Sequence, residues 1–215
     1  MANRINVDLH GHQSLFKLKK DRHIISSDLD MDIIEVIKTR RSVRNFKSDP
    51  VEDEKLLVVL EAARWAPSWA NTQCWEFIVV KSAEVKEKLA ETLLPMNPAF
   101  NAVKKAPVVI VACAKLGLSG YYKGKPVTDK GDWFMFDVAL ALQNLVLTAW
   151  SLGLGTVYVG AFDAKKAAEV LGVPQEVSVV ALLPLGYPAE IPKEPPKRKD
   201  IKEIVYLDKY GHRWL

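Results

Sequence analysis

Residues Trp133–Leu152 read WFMFDVALALQNLVLTAWSL, and Gly153-Leu154-Gly155-Thr156 follow. Apolar side chains recur here on almost every face of a helix, with Asp132 placed to cap its start and Gly153 to close its end. Phe134 to Leu154 is the longest apolar stretch of the chain, yet Asp137, Gln143 and Asn144 interrupt it where a bilayer would penalise them. The stretch is therefore expected to be a buried helix, not a membrane span. A helix this apolar should be covered on every side, and in a chain of 215 residues a subunit interface is a natural source of that cover.

Outward from this helix, strands and helices interleave. Downstream, Thr156–Val159 reads as a strand, Asp163–Leu171 as a short helix stopped by Gly172 and Pro174, and Val177–Pro184 as another strand. Upstream, Gly117, Gly120, Gly124 and Gly131 punctuate Lys115–Asp132, a loop long enough for a lid. Pro107–Ala114 is the clearest strand, Ala83–Leu94 reads as a surface helix, and Trp75–Lys81 as a short buried strand. Leu56, Leu57, Leu60 and Ala63 predict a helix over Asp53–Trp65 that Pro67 ends. Ile33, Ile34 and Ile37 predict an earlier one, capped by Asp30 or Asp32.

Residues 1–30 look like an irregular extension, and Pro188–Leu215, with Pro192, Pro195 and Pro196, like a tail that crosses to another subunit. No internal repeat is present. The pattern predicts an α/β or α+β sandwich around a central sheet.

At 49% hydrophobic the chain can bury one full core. Thirty basic against 26 acidic side chains, net +4, leave a mildly basic surface that suits an anionic small ligand as readily as nucleic acid. Cys74 and Cys113 show no paired spacing, so no disulfide framework, zinc or iron–sulfur site is indicated and a reducing, cytoplasmic setting follows. The first thirty residues contain no apolar core of a secretory signal.

Four segments carry candidate chemistry. Arg40-Arg41-Ser42-Val43-Arg44 follows the first helix at its C-terminal end, where the macrodipole favours cations but offers no amide cradle. Any phosphate bound there is held by arginine forks and a hydroxyl; taken alone, the run favours a solvated basic helix end. Ala66-Pro67-Ser68-Trp69-Ala70-Asn71-Thr72-Gln73-Cys74-Trp75 packs amides and hydroxyls before a strand. Asn71, Gln73 and Ser68 can bond the edge of an isoalloxazine ring and Pro67 and Trp69 can cover its face, although a plain turn explains the pattern equally well. In Gly153–Phe162, glycines keep side chains away from whatever lies above a short strand, or simply punctuate it. Pro195-Pro196-Lys197-Arg198-Lys199 is a second basic cluster on a stiff lead-in, or a solvated tail.

Together, in order and spacing, these segments make residues 31–211 resemble the nitroreductase superfamily of flavoproteins. The resemblance rests on Arg-Arg-Ser-x-Arg, Pro-Ser-x-x-Asn-x-Gln-x-Trp, Leu-Gly-Leu-Gly-Thr, Leu-Gly-Tyr-Pro and Pro-Pro-Lys-Arg-Lys. It implies an α+β, three-layer α/β/α sandwich with a central mixed, mainly antiparallel sheet, and a homodimer with FMN at the subunit interface. Residues 31–215 would form one FMN-binding domain with a dimer-crossing tail. By the same resemblance, Arg40, Arg41 and Ser42 hold the phosphate and ribityl chain, and Arg44 reaches the pyrimidine edge. Pro67, Ser68, Trp69 and Asn71 come from the opposite subunit, with Gln73 nearby. The backbone at Tyr158, Gly160 and Ala161 lies near N5, and Lys197, Arg198 or Lys199 completes the phosphate site. Two departures stand out: Gln73-Cys74-Trp75 replaces the family's Gln-Pro-Trp, and Gly160 stands where some members are acidic. Asn97–Lys104 resembles a flavin-contacting segment of some relatives over a short match, and Asn101 and Lys104 are not counted as site residues.

The implied activity is ping-pong hydride transfer from NADH or NADPH through FMN to a nitroaromatic, quinone or similar acceptor, with no catalytic residue beyond the cofactor and Arg44 tuning the reduced flavin. Within the family, dehalogenation, ring dehydrogenation and flavin fragmentation remain alternatives. A nucleic-acid binder is the reading from another class, but the basic residues share no helix face and no recognition motif is present. His10 and His12 lack a carboxylate neighbour for a metal site, and Tyr121 and Tyr122 in the lid are candidates to touch substrate.

Overall fold

In the computed structural model, residues 32–191 and 194–215 are described. The extension over residues 1–30, with Asp30, His10 and His12, lies outside them, as does Pro192. The elements are α1 (Ile33–Thr39), α2 (Asp53–Arg64), a 3-10 turn (Trp69–Asn71), β1 (Trp75–Val80), α3 (Ala83–Glu91), α4 (Phe100–Lys105) and β2 (Val108–Lys115). Then come β3 (Tyr121–Tyr122), β4 (Lys125–Pro126), α5 (Phe134–Ser151), β5 (Gly155–Thr156), α6 (Ala164–Leu171), β6 (Val177–Gly186) and α7 (Ile201–Ile204).

Strand β2 explains the layers. Val108, Ile110, Ala112 and Ala114 point into a core formed with α2 and α5, while Val109, Val111 and Cys113 point into a second core with α3, α4 and α6. A strand buried on both faces has no polar side, which is why its sequence is continuously apolar. The sheet order is β1-β2-β6-β5 with every ladder antiparallel, and a bulge interrupts β2 between Ala112 and Cys113. A parallel bridge from Ser42 to Thr156 makes the assembly mixed. The result is the expected three-layer α+β sandwich.

Helix α5 stops as the sequence foretold. Gly153, at φ 76°, lets its own N–H reach Trp150 O at 3.0 Å and Leu154 N–H reach Ala149 O at 2.9 Å, the paired bonds of a Schellman ending. Asp132 Oδ1 accepts from Phe134 N–H at 3.1 Å. Asp32, by contrast, precedes α1 without a side-chain capping bond.

Several expectations need correction. β1 is a half-buried edge strand, because only β2 flanks it, and Glu76 faces out to pair with Lys115. Of the strand expected over Thr156–Val159 only Thr156 joins the ladder, paired beside Gly155, with Val159 returning as a single bridge to Leu182. The lid is no plain loop: β3 and β4 pair around Lys123-Gly124, both at positive φ (49° and 73°), as a tight hairpin requires. The cover expected for α5 is incomplete within one chain, where Met135 and Phe136 are 56% and 55% exposed, so the expectation that a subunit interface supplies the rest stays open.

One polar contact fixes the irregular segments to this frame. Asp137, on the first turn of α5, is 1% exposed. Its carboxylate accepts from Trp69 N–H at 3.0 and 3.2 Å and from the Ser119 hydroxyl at 2.7 Å, with Thr72 Oγ1 at 3.5 Å and Cys74 Sγ at 3.7 Å. The turn before β1 and the root of the lid therefore hang from one side chain.

Asp137→Ala strands the Trp69 N–H and the Ser119 hydroxyl, and is expected to cost about 3 kcal/mol in chemical denaturation; an unchanged midpoint would show that the carboxylate anchors nothing. A Cβ on Gly155 would meet Val43 Cγ2 at 2.6 Å. Gly155→Ala should therefore destabilise by about 1–3 kcal/mol, and Gly155→Ala with Val43→Ala should cost less than the two single changes added.

Candidate functional site

The arginine run leaves α1 at Arg40, which turns extended at φ −52° and ψ 134°. Val43 is buried and donates its N–H to Thr156 O at 2.9 Å, so this segment lies along β5. Gly155 allows the approach, because any larger residue would collide with Val43. The run continues past the end of β6, where Lys47 N–H reaches Tyr187 O at 2.8 Å and Ala189 N–H reaches Asn45 O at 3.0 Å.

Arg40, Arg41 and Ser42 are half-buried and Arg44 is exposed. Arg41 Nη1 donates to Lys38 O at 2.8 Å and Arg40 O at 3.0 Å, the C-terminal carbonyls that favour a cation. Arg40 Nη1 and Arg41 Nε are buried and have no hydrogen-bond partner among the described residues. Buried guanidinium donors almost always have acceptors, so these two are groups that could hold an anion.

Beside the run, Arg44 and residues Val157–Ala161 form one wall of an open depression of about 410 Å³, and Leu94–Ala99 form the other. The Tyr158 hydroxyl donates to Gln143 Oε1 of α5 at 3.3 Å. Desolvation pushes its pKa up to about 12, with the Arg40 charge acting the other way. A Cβ on Gly160 would meet nothing within 4 Å, so, unlike Gly155, it faces open space.

The third group is the turn over residues 66–75. Ala70, Asn71 and Gln73 all take positive φ (44°, 57° and 48°), a costly run for residues with side chains. Ser68 Oγ accepts from Gln73 N–H at 2.9 Å, and Gln73 Nε2 donates to Asn71 Oδ1 at 3.2 Å. Trp69 packs on Trp133, ring centroids 5.1 Å apart, and Trp133 meets Phe136 edge-on at 5.4 Å. Cys74 is buried behind the turn, where desolvation first and the Asp137 charge second push its thiol up to about 12. It is a packed, protonated thiol rather than a nucleophile.

These groups attach to α5 at different levels. The turn hangs from Asp137, while Trp150 Nε1 donates to Thr39 Oγ1, next to Arg40, at 3.0 Å. The stretch of α5 between those residues measures about 20 Å. One chain thus brings together Arg40, Arg41, Ser42, Arg44, Tyr158, Gly160 and Ala161, but holds Pro67, Ser68, Trp69, Asn71 and Gln73 apart from the arginines.

Lys197, Arg198 and Lys199 are exposed, and every hydrogen bond made by the described residues 194–215 stays within that tail. Of the Leu94–Ala99 wall, Asn97, Pro98 and Ala99 belong to the segment that resembles a flavin-contacting stretch of some relatives, whereas Leu94, Pro95 and Met96 carry no signal in the sequence. Asn101 and Lys104, left out of the expected site, do not line the depression, and Lys104 pairs with Glu87.

Known proteins resemble this chain in sequence and in fold. A relative from Methanothermobacter thermautotrophicus, provisionally named NADH dehydrogenase/NAD(P)H nitroreductase, is 36% identical over 179 residues, covering 81% of this chain and 87% of its own. The crystal structure of a nitroreductase family protein from Clostridium novyi NT superposes with TM-score 0.67 at 36% identity, over 86% of this chain and 98% of that one. An FMN-dependent nitroreductase from Clostridium difficile R20291 does so with TM-score 0.67 at 30% identity, over 82% and 99%. The family model described as "Nitroreductase family" matches residues 37–187, and the chain belongs to that family.

Proposed function

We propose that the protein is an NAD(P)H-dependent FMN oxidoreductase, working as a homodimer, that reduces a flat organic acceptor such as a nitroaromatic or a quinone. The observation that carries the reading is the pair of buried donors Arg40 Nη1 and Arg41 Nε beside Ser42, which have no partner among the described residues. They fit the phosphate of FMN, and the depression next to them fits the ring. The FMN-dependent relative supports the cofactor and the NAD(P)H nitroreductase relative supports the donor.

FMN held there would supply the hydride-transfer chemistry, at N5, between NADH or NADPH and the acceptor. The chain supplies position and charge. Arg40, Arg41 and Ser42 hold the phosphate and ribityl chain, with Lys197, Arg198 or Lys199 as its second contact. Arg44, on the rim, stabilises the negative charge that develops at the pyrimidine edge on reduction. Gly160 leaves the backbone around Tyr158 and Ala161 free to approach the ring closely. A single depression serves donor and acceptor in turn, which favours a ping-pong cycle.

The dimer reading rests on two features. The exposed Met135 and Phe136 of α5, Ile33, Ile34 and Ile37 of α1, and Ile201, Ile204 and Trp214 of the tail are apolar surface that a second copy would cover. The separation of the turn at 67–73 from the arginines along α5 also fits a site closed by the partner's Pro67, Ser68, Trp69, Asn71 and Gln73. On this reading, residues 31–215 are one FMN-binding domain with a dimer-crossing tail, and residues 1–30 an extension. Two buried, unpaired cysteines suit a reducing, cytoplasmic setting.

Replacing Arg40 and Arg41 together with alanine should weaken FMN binding by about a hundredfold or more, seen as loss of flavin absorbance on gel filtration. Flavin retained at wild-type stoichiometry would overturn the phosphate assignment. Met135→Glu puts a charge where a single chain is already open to solvent. It should convert a dimer to a folded monomer in sedimentation and release flavin with it, whereas an unaltered dimer would place the interface elsewhere.

A further inference from the structure

The wall Leu94–Ala99 contains no charged or titratable side chain, yet several hydrogen bonds hold it in place. Asn97 Nδ2 donates to Ala161 O at 3.0 Å and its Oδ1 accepts from Ala99 N–H at 2.9 Å. Leu94 N–H also reaches Ala161 O, at 3.2 Å, and Leu93 bridges Phe162. These bonds tie the wall to the strand segment on the other side of the depression.

The residue they present is Met96. Its φ of 62° lies in the left-handed region, which a residue with a Cβ adopts only when its surroundings impose it. At 99% exposure it is the most exposed of the large apolar side chains among the described residues, and it lines the rim of the depression. Strain and exposure are thus both imposed at one apolar side chain, at the mouth of the site.

We propose that Met96 is a specificity-determining residue that lies against the ring of a flat, apolar organic acceptor. The assignment rests on the reading that FMN occupies this depression. Chemistry favours the acceptor over the other two occupants: FMN is held by its phosphate, and NAD(P)H carries a nucleotide half that can bind elsewhere. A small aromatic acceptor has only its ring to hold. An unbranched thioether suits that task, because it adapts to rings of different outline and its sulfur contacts aromatic edges favourably.

The test is equilibrium binding of 4-nitrobenzyl alcohol to the oxidised holoenzyme, followed by calorimetry without any electron donor, with flavin content recorded for each variant. Met96→Ala should retain full flavin and bind the probe about five- to tenfold more weakly. Met96→Leu should bind within about twofold of wild type. Met96→Gly should also bind weakly while its unfolding temperature holds or rises, since glycine removes the strain but also the contact.

Wild-type affinity in a flavin-replete Met96→Ala enzyme would overturn the assignment alone. Loss of flavin from that variant would overturn it too, by placing Met96 on the cofactor. A wild-type protein that binds no flavin would remove the reading beneath it.

Discussion

A buried carboxylate held by neutral donors is the constraint on which the irregular half of this structure depends. Asp137 sits at the start of an otherwise apolar helix and takes its hydrogen bonds from a backbone amide and a serine hydroxyl. Desolvating a carboxylate is costly unless such donors are fixed in place. The turn at 68–74 and the lid root at Ser119 are therefore ordered by the acid as much as the acid is satisfied by them. Trp69, Trp133 and Phe136 add an aromatic stack over the same junction. The three positive-φ residues in the turn are kept in place by this anchoring.

The opposite end of α5 carries a different electrostatic arrangement. Helix α1 ends in arginines, and Arg41 satisfies part of its guanidinium on the helix's own last carbonyls. Arg41 Nε and Arg40 Nη1 stay without a partner among the described residues and are free to hold an anion. The cationic segment is fixed by backbone pairing to β5, so its register does not depend on ligand contacts. A rigid strand places the charges, and a helix end makes them tolerable.

The chain also leaves much apolar surface uncovered, on α1, on one face of α5 and along the tail. Such surface is coherent in a subunit, because the same α5 that packs the sheet presents its other side outward. Helix α5 thus serves two purposes at once: one face closes the core and its ends space the candidate site groups. That double use accounts for a sequence apolar nearly all round, which composition alone cannot distinguish from a membrane span.

The sequence by itself determined what local periodicity and chain punctuation control. These are the two-faced strand β2, the boundaries of α2 and α6, the glycine ending of α5, and four segments whose order and spacing identify the family. Tertiary structure alone decided how alike-looking residues divide their tasks. Gly155 is required by Val43 and Gly160 faces open space, though the two stand in the same glycine-rich stretch. Asp137 reads in sequence as a flaw in an apolar helix and proves to be the anchor of two loops. Met96 carries no motif, and only the bonds from Leu94 and Asn97 to Ala161 set it on the rim. The physical reason is the same in each case: helical and strand periods are written among neighbours, whereas collision, desolvation and pairing depend on residues that folding brings together from far along the chain.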